Sequence, residues 1–130
     1  VAVLVLLAAL YVGSTGIFLA ARAELRIGIN HTASSQAFYL AESGLATWIA
    51  SPVQPSTAQY SIGGETVLVR ATKLLTIDSV AALYRITSKS TVGGGYASNP
   101  GVAVRETSVL GLRLGTGRVG VVRRTWREVL

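Results

Sequence analysis

No charged side chain appears before Arg22. The run from Val1 to Ala21 is apolar on every helical face, and as a helix of about 21 residues it rises roughly 31 Å, close to the hydrocarbon thickness of a bilayer. A removable secretory signal carries a basic flank, a shorter apolar run and a small-residue end. Here no basic flank precedes the run, and a helical pattern continues past it, so the segment reads as a retained membrane helix. Val1 opens the sequence and Met is absent, which reads as a processed mature form or a fragment. Gly13-Ser14-Thr15-Gly16 interrupts the run in its middle. Gly is a poor helix former, and Ser and Thr bond nearby backbone groups. The stretch is therefore either a continuous helix with a small-residue packing face or a helix that unwinds locally at 13–16.

Helical spacing persists beyond the first charges. Leu25, Ile29, Ala33, Ala37, Leu40, Gly44 and Trp48 recur at three- and four-residue intervals, and Phe38, Ala41, Leu45 and Ile49 widen that stripe. No Pro or turn cluster interrupts the pattern until Ser51-Pro52, so one helix is expected over residues 1–50, extending roughly 75 Å. Its lower half has a stripe to bury on a folded domain, with Leu25, Ile29, Ala37, Leu40, Ala41, Leu45 and Trp48 as the expected packing residues. Its upper half, with Val3, Leu4, Leu6, Leu7, Leu10 and Phe18, has no partner in its own chain and must find lipid or other copies. An acid at one of these leucines is expected to stop assembly while the head still folds.

The quoted residues carry a resemblance. An uncharged start, then Ala21-Arg22-Ala23-Glu24-Leu25-Arg26, then Ile29-Asn30-His31-Thr32, then Gln36-Ala37-Phe38-Tyr39-Leu40-Ala41-Glu42-Ser43-Gly44-Leu45 resembles the N-terminal helix of PilX-type pilins and of the related pseudopilins of type II secretion. The resemblance covers about residues 1–50. It implies cleavage by a prepilin peptidase, N-methylation of the new terminus, residence in the inner membrane and then polymerisation into a helical fibre at the cell surface. It also implies that Gly13, Ser14, Thr15 and Gly16 lie where pilin helices unwind in the fibre. Two departures stand out. Most major pilins carry a glutamate a few residues into the mature chain, whereas Val1 to Tyr11 contain no acid, so either the true start lies upstream or the subunit assembles without the pairing such a glutamate makes. Many pilins close a C-terminal loop with a disulfide, and this chain has no Cys.

Beyond the helix, Ser51 to Ala58 holds Pro52 and Pro55 and reads as a linker (residues 51–58). The period then changes to two, and residues 59–130 read as a head domain. Gln59–Ile62 and Thr66–Lys73 flank Gly63-Gly64, a hairpin signal. Ala82–Lys89 and Val102–Leu114 alternate likewise, the latter with Val102, Val104, Leu110, Leu112 and Leu114 on the apolar parity. Val92 to Gly101 reads as a Gly-rich loop, and the tail from Arg118 as a last strand. The expected fold class is α+β: a long helix packed on a small antiparallel sheet of four or five strands, as in type IV pilins.

Few residues suggest chemistry. Gly115-Thr-Gly-Arg-Val-Gly120 has dinucleotide-fingerprint spacing, but only ten residues follow, so the required strand–helix–strand unit cannot form. His31 is the single imidazole and has no ligand cluster around it. Asn30-His31-Thr32 matches a glycosylation sequon but falls inside a helix. With no nucleophile–base pair, paired carboxylates or metal-ligand spacing, no catalytic, cofactor or metal residue is nominated. Arg22, Glu24 and Arg26 form a collar above the apolar run, either an ordinary membrane-edge cluster or a set of charges that pairs between subunits. The net charge of +6 favours anionic partners, and Arg113, Arg118, Arg123, Arg124 and Arg127 concentrate it near the C-terminus. That cluster is either a solvated face or a surface for DNA or another anion, with Trp126 nearby. The leading expectation is a structural subunit of a pilus-like filament. A minor pilin or type II secretion pseudopilin, and a single-pass membrane-anchored extracytoplasmic binding protein, are the alternatives.

Overall fold

A computed structural model describes residues 1–93, 102–122 and 125–129. Helix α1 runs Ala2–Ala50 without a break. It ends at Ser51-Pro52, where proline cannot continue the hydrogen-bond ladder and disfavours helical geometry in the residue before it. The terminal carbonyls are not left bare. Ser51 N donates to Thr47 O at 3.0 Å, and Ile49 O accepts from Gln54 Nε2 at 3.3 Å and from the Arg118 guanidinium at 2.5 Å. A cation at this end also complements the helix dipole. The chain divides into two compact units, Val1–Thr32 and Ala33–Leu130.

In the second unit the end of α1 lies on an antiparallel sheet, an α+β arrangement. The strands are β1 (Thr57–Ile62), β2 (Glu65–Asp78), β3 (Ala81–Gly93), β4 (Val102–Leu114), β5 (Val119–Val121) and β6 (Arg127–Val129). Their order is β1-β2-β3-β4-β5, and β6 also pairs with β4. Gly63 and Gly64 turn β1 into β2 with φ of 61° and 84°, the double left-handed geometry of a two-residue hairpin turn that side chains with a Cβ resist. Several elements exceed their expected bounds. β1 begins at Thr57, inside the stretch read as linker, and Val92 and Gly93 belong to β3 rather than to a loop. Residues 94–101 of that expected loop lie outside the described residues. Among the described residues there are six strands, because the tail forms two short ones, where four or five were expected.

The core is where the stripe of α1 meets one sheet face. Ala37, Ala41, Gly44, Leu45 and Trp48 are buried from the helix, against Val67, Val69, Ile86, Val109 and Val119 from the strands. Alternation puts Val67, Val69 and Ala71 of β2 and the even residues of β3 on this face. On β4 the inward parity is the reverse of that expected. Thr107, Val109 and Gly111 point in, while Val102, Val104 and Leu114 are exposed and Leu110 and Leu112 half-buried. The reason lies in the register: Ile86 faces Val109 and Ser88 faces Thr107 across the β3–β4 ladder, so the buried parity of β3 fixes that of β4.

Much of this seam is small and polar. Ser88, Ser90 and Thr107 are fully buried, and Ser90 Oγ donates to the Ala37 carbonyl of α1. Short side chains let the helix come close. A Cβ placed on Gly44 would stand 2.4 Å from Val67 Cγ1 and 3.0 Å from Ser88 Oγ. Val67 is buried and has a stiff branched side chain, so it has little room to yield. Overpacking of this kind costs about 1–3 kcal/mol, against the ~1 kcal/mol that Ala gains over Gly in a helix. Gly44→Ala is therefore expected to lower the chemical-denaturation midpoint of the head, and Gly44→Val to lower it further. An unchanged or raised midpoint would mean that the helix stands off the sheet.

Candidate functional site

The first unit, Val1–Thr32, presents the largest unexplained surface. Val3, Leu4, Leu6, Leu7, Leu10 and Phe18 are 56–71% exposed, and Tyr11, Val12, Ile17 and Leu19 are open as well. Gly13, Gly16 and Gly28 have open space where a Cβ would stand. The segment is long and apolar enough to cross a membrane. A contiguous apolar surface of this extent, without a packed partner, marks an interaction surface rather than incidental exposure. Because it encircles the helix, one flat partner cannot cover it.

Gly13, Ser14, Thr15 and Gly16 are helical in the single chain, the continuous one of the two readings. Ser14 Oγ and Thr15 Oγ1 both donate to the Tyr11 carbonyl, at 2.9 and 2.8 Å. These back-bonds hold the hydroxyls against the helix instead of competing with its ladder. Above the apolar run, the Arg22 guanidinium lies 5.0 Å from the Phe18 ring centroid, a cation–π contact. Among the described residues the single side-chain ion pair joins Arg105 to Glu128 at 3.3 Å, so Arg22, Glu24 and Arg26 carry no intrachain pairing.

Of the residues expected to join helix and head, Ala37, Ala41, Leu45 and Trp48 are buried and Leu40 half-buried. Leu25 does not join them. It is 66% exposed and, with half-buried Ile29, belongs to the first unit. The expected stripe therefore begins too early, because helical periodicity alone cannot say where a covering sheet starts.

The described C-terminal cations do not form one surface. Arg113 and Arg127 occupy opposite faces of the sheet, since Arg113 shares the parity of Val109 while Arg127 is paired with Ser108. Arg113 sits 5.1 Å from the Tyr84 ring centroid, and Arg118 caps α1. Arg123 and Arg124 lie outside the described residues. Trp126 is 42% exposed and is not a core residue. Among the described residues no three His, Asp or Glu side chains are grouped to hold a metal ion.

No protein-family model matches the chain, and no curated protein or solved structure matches it. Function must therefore be read from the side chains.

Three contributors escaped the sequence. Gln54, in the turn after α1, donates to Val119 O at 3.3 Å and accepts from Val119 N at 2.7 Å, stitching β5 to the helix end. Arg105 reaches from β4 to Ser34 of α1 at 2.8 Å while holding Glu128 of β6. Thr125 accepts from Leu110 N at 3.1 Å and donates to Val122 O at 2.7 Å, seating the segment before β6. All three act across sequence separations that no local spacing reports.

Proposed function

We propose that this chain is a structural subunit of a type IV pilus-like extracellular filament, held first in the inner membrane and then assembled through bundling of its apolar helices. It is not an enzyme in this reading. The single observation that supports it is the uncovered apolar circumference of Val1–Thr32, which only a lipid phase or a ring of similar helices surrounds on all sides. The resemblance of residues 1–50 to pilin helices points the same way, and with it come processing by a prepilin peptidase, terminal methylation and handling by pilus assembly machinery.

The mechanism is an exchange of apolar surroundings. Leu4, Leu6, Leu7 and Leu10 leave lipid and enter a helix bundle, so transfer needs little net hydrophobic gain, because hydrocarbon is about as apolar as leucine. Close packing and charge pairing must then select the bundle. The unpaired Arg22, Glu24 and Arg26 provide such pairing, with Glu24 meeting a neighbour's arginine and fixing the axial offset between subunits. Partly buried charges require partners of this kind.

A minor pilin or type II secretion pseudopilin uses the same surface at lower copy number. A single-pass anchored binding protein differs in kind. Slow detergent removal from the purified chain, followed by electron microscopy, separates them. Filaments of uniform width with a helical repeat are expected. Detergent-bound monomers that pass only to amorphous precipitate would support the anchored monomer and refute the filament.

A further inference from the structure

The sheet face turned away from α1 carries a charge array that the filament reading does not use. Its central row crosses four strands: Arg70 pairs with Thr87, Thr87 with Ser108, and Ser108 with Arg127. Directly paired residues project from the same side of a sheet, so two arginines flank two hydroxyls in one line. Arg85 and Lys89 lie two residues to either side of Thr87 on β3 and share its face. All four cations are exposed, while Thr87 and Ser108 are half-buried between them. Glu106, opposite Lys89, is the acid within the array. Among the described residues none of the four cations is in a side-chain ion pair. Beside the row, Arg85, Thr87, Ser108, Thr125 and Arg127 line a groove of about 820 Å³, whose wall also includes Glu106 and the Arg105-bound Glu128. Trp126 borders it from the helix side, where it also lines a pocket with Glu42, Ser43 and Ala46 of α1.

We propose that this face binds an acidic polysaccharide, with its anionic groups on the arginines and its hydroxyls on Thr87 and Ser108. The dimensions favour this occupant. Strand spacing puts Arg70 and Arg127 about 14 Å apart and Arg85 and Lys89 about 13 Å apart, a compact patch rather than a track. Guanidinium groups bind planar carboxylates and sulfates through paired N–H donors, which an ammonium does not. A single-stranded nucleic acid is held by a series of aromatic stacking platforms, and here one indole borders the groove. A duplex is read by a helix or ribbon inserted into its groove, which this broad face does not offer. A sugar chain presents repeated anions and abundant hydroxyls, and each has a counterpart here. The proposal stands independently of filament assembly.

The test uses the full chain in neutral detergent micelles, titrated with heparin (sulfated), alginate (carboxylated), neutral dextran, single-stranded DNA and vesicles containing phosphatidylglycerol. Binding to heparin or alginate is expected, with weakening by salt; the tighter of the two identifies the favoured oxyanion. Arg85→Gln/Arg127→Gln should lose affinity between about fivefold and a hundredfold, the range for two lost solvent-exposed hydrogen bonds. The charge-matched pair Lys73→Gln/Arg113→Gln, on the helix-facing parity, should retain it. Arg85→Lys/Arg127→Lys, which keeps the charge and removes the planar donors, should fall between. Equal losses in the two charge-removing pairs would overturn the proposal, as would tighter binding to DNA or to the vesicles than to either polymer. So would failure to bind heparin and alginate alike, with circular dichroism unchanged across the variants.

Discussion

Leu10→Asp should abolish filament formation while leaving the head folded and the chain in the membrane. Leu10 sits in the apolar circumference at 63% exposure, and no charge precedes Arg22 to partner an introduced acid. One Asp near the centre of a membrane helix costs about 2.5–3.5 kcal/mol, while each Leu, Ile, Val or Phe contributes about −0.3 to −0.6 kcal/mol. Ten such side chains remain among residues 1–21, enough to keep the anchor inserted. A bundle offers no such margin. Every subunit would bury the same unpaired carboxylate beside its neighbours' copies, at a cost of several kcal/mol each. Electron microscopy of assembled material checks the loss, membrane fractionation checks the anchor, and near-ultraviolet circular dichroism checks the head. Leu10→Ile serves as the control and should assemble. Normal filaments from Leu10→Asp would sink the bundling mechanism.

The head should fail at Trp48. Its side chain is 1% exposed, and its indole N–H donates to the Pro55 carbonyl at 3.0 Å, tying the end of α1 to the turn that leads into β1. Replacing a buried Trp with Ala costs roughly 3–5 kcal/mol, a large fraction of the 5–15 kcal/mol that a typical domain has in total. Trp48→Ala should therefore leave the head largely unfolded near body temperature, seen as loss of its cooperative thermal transition. Trp48→Phe keeps most of the packing and forfeits the hydrogen bond, worth about 1 kcal/mol. It should unfold cooperatively at a lower midpoint. Fluorescence gives a second reading, because Trp48→Phe leaves only the half-open Trp126 and should shift emission to longer wavelength. A Trp48→Ala chain as stable as the parent would mean that the helix contributes little to the head.

These outcomes also measure how far the amino-acid pattern speaks for the fold. The helix bounds were readable to within a residue, since no proline falls between Val1 and Ala50 and Pro52 must end the ladder, while Gly13–Gly16 left two readings open. The Gly63-Gly64 hairpin was readable for the same local reason. The inward parity of β4 was not. Its apolar residues, Val102, Val104 and Leu114, are the exposed ones, and its buried ones include Thr107 and Gly111. Hydrophobic alternation misleads where a sheet must admit a helix at close range and uses small side chains to do so. The two tail strands were invisible singly because three residues each carry no period. The Arg70–Thr87–Ser108–Arg127 row is likewise a product of register, since its members are scattered along the chain and only strand pairing makes them neighbours. Arg113 and Arg127, by contrast, belong to one cluster in the sequence and are placed on opposite faces by the same pairing.

The serine- and threonine-lined seam has a thermal consequence. Heat capacity rises on unfolding with the apolar area newly wetted and falls with the polar area. Ser88, Ser90 and Thr107 stand where valines or leucines would otherwise meet the helix, so melting this head releases less greasy surface than its buried volume suggests. Its stability should vary gently with temperature, holding the fold through cold and moderate warmth alike instead of peaking sharply near one optimum.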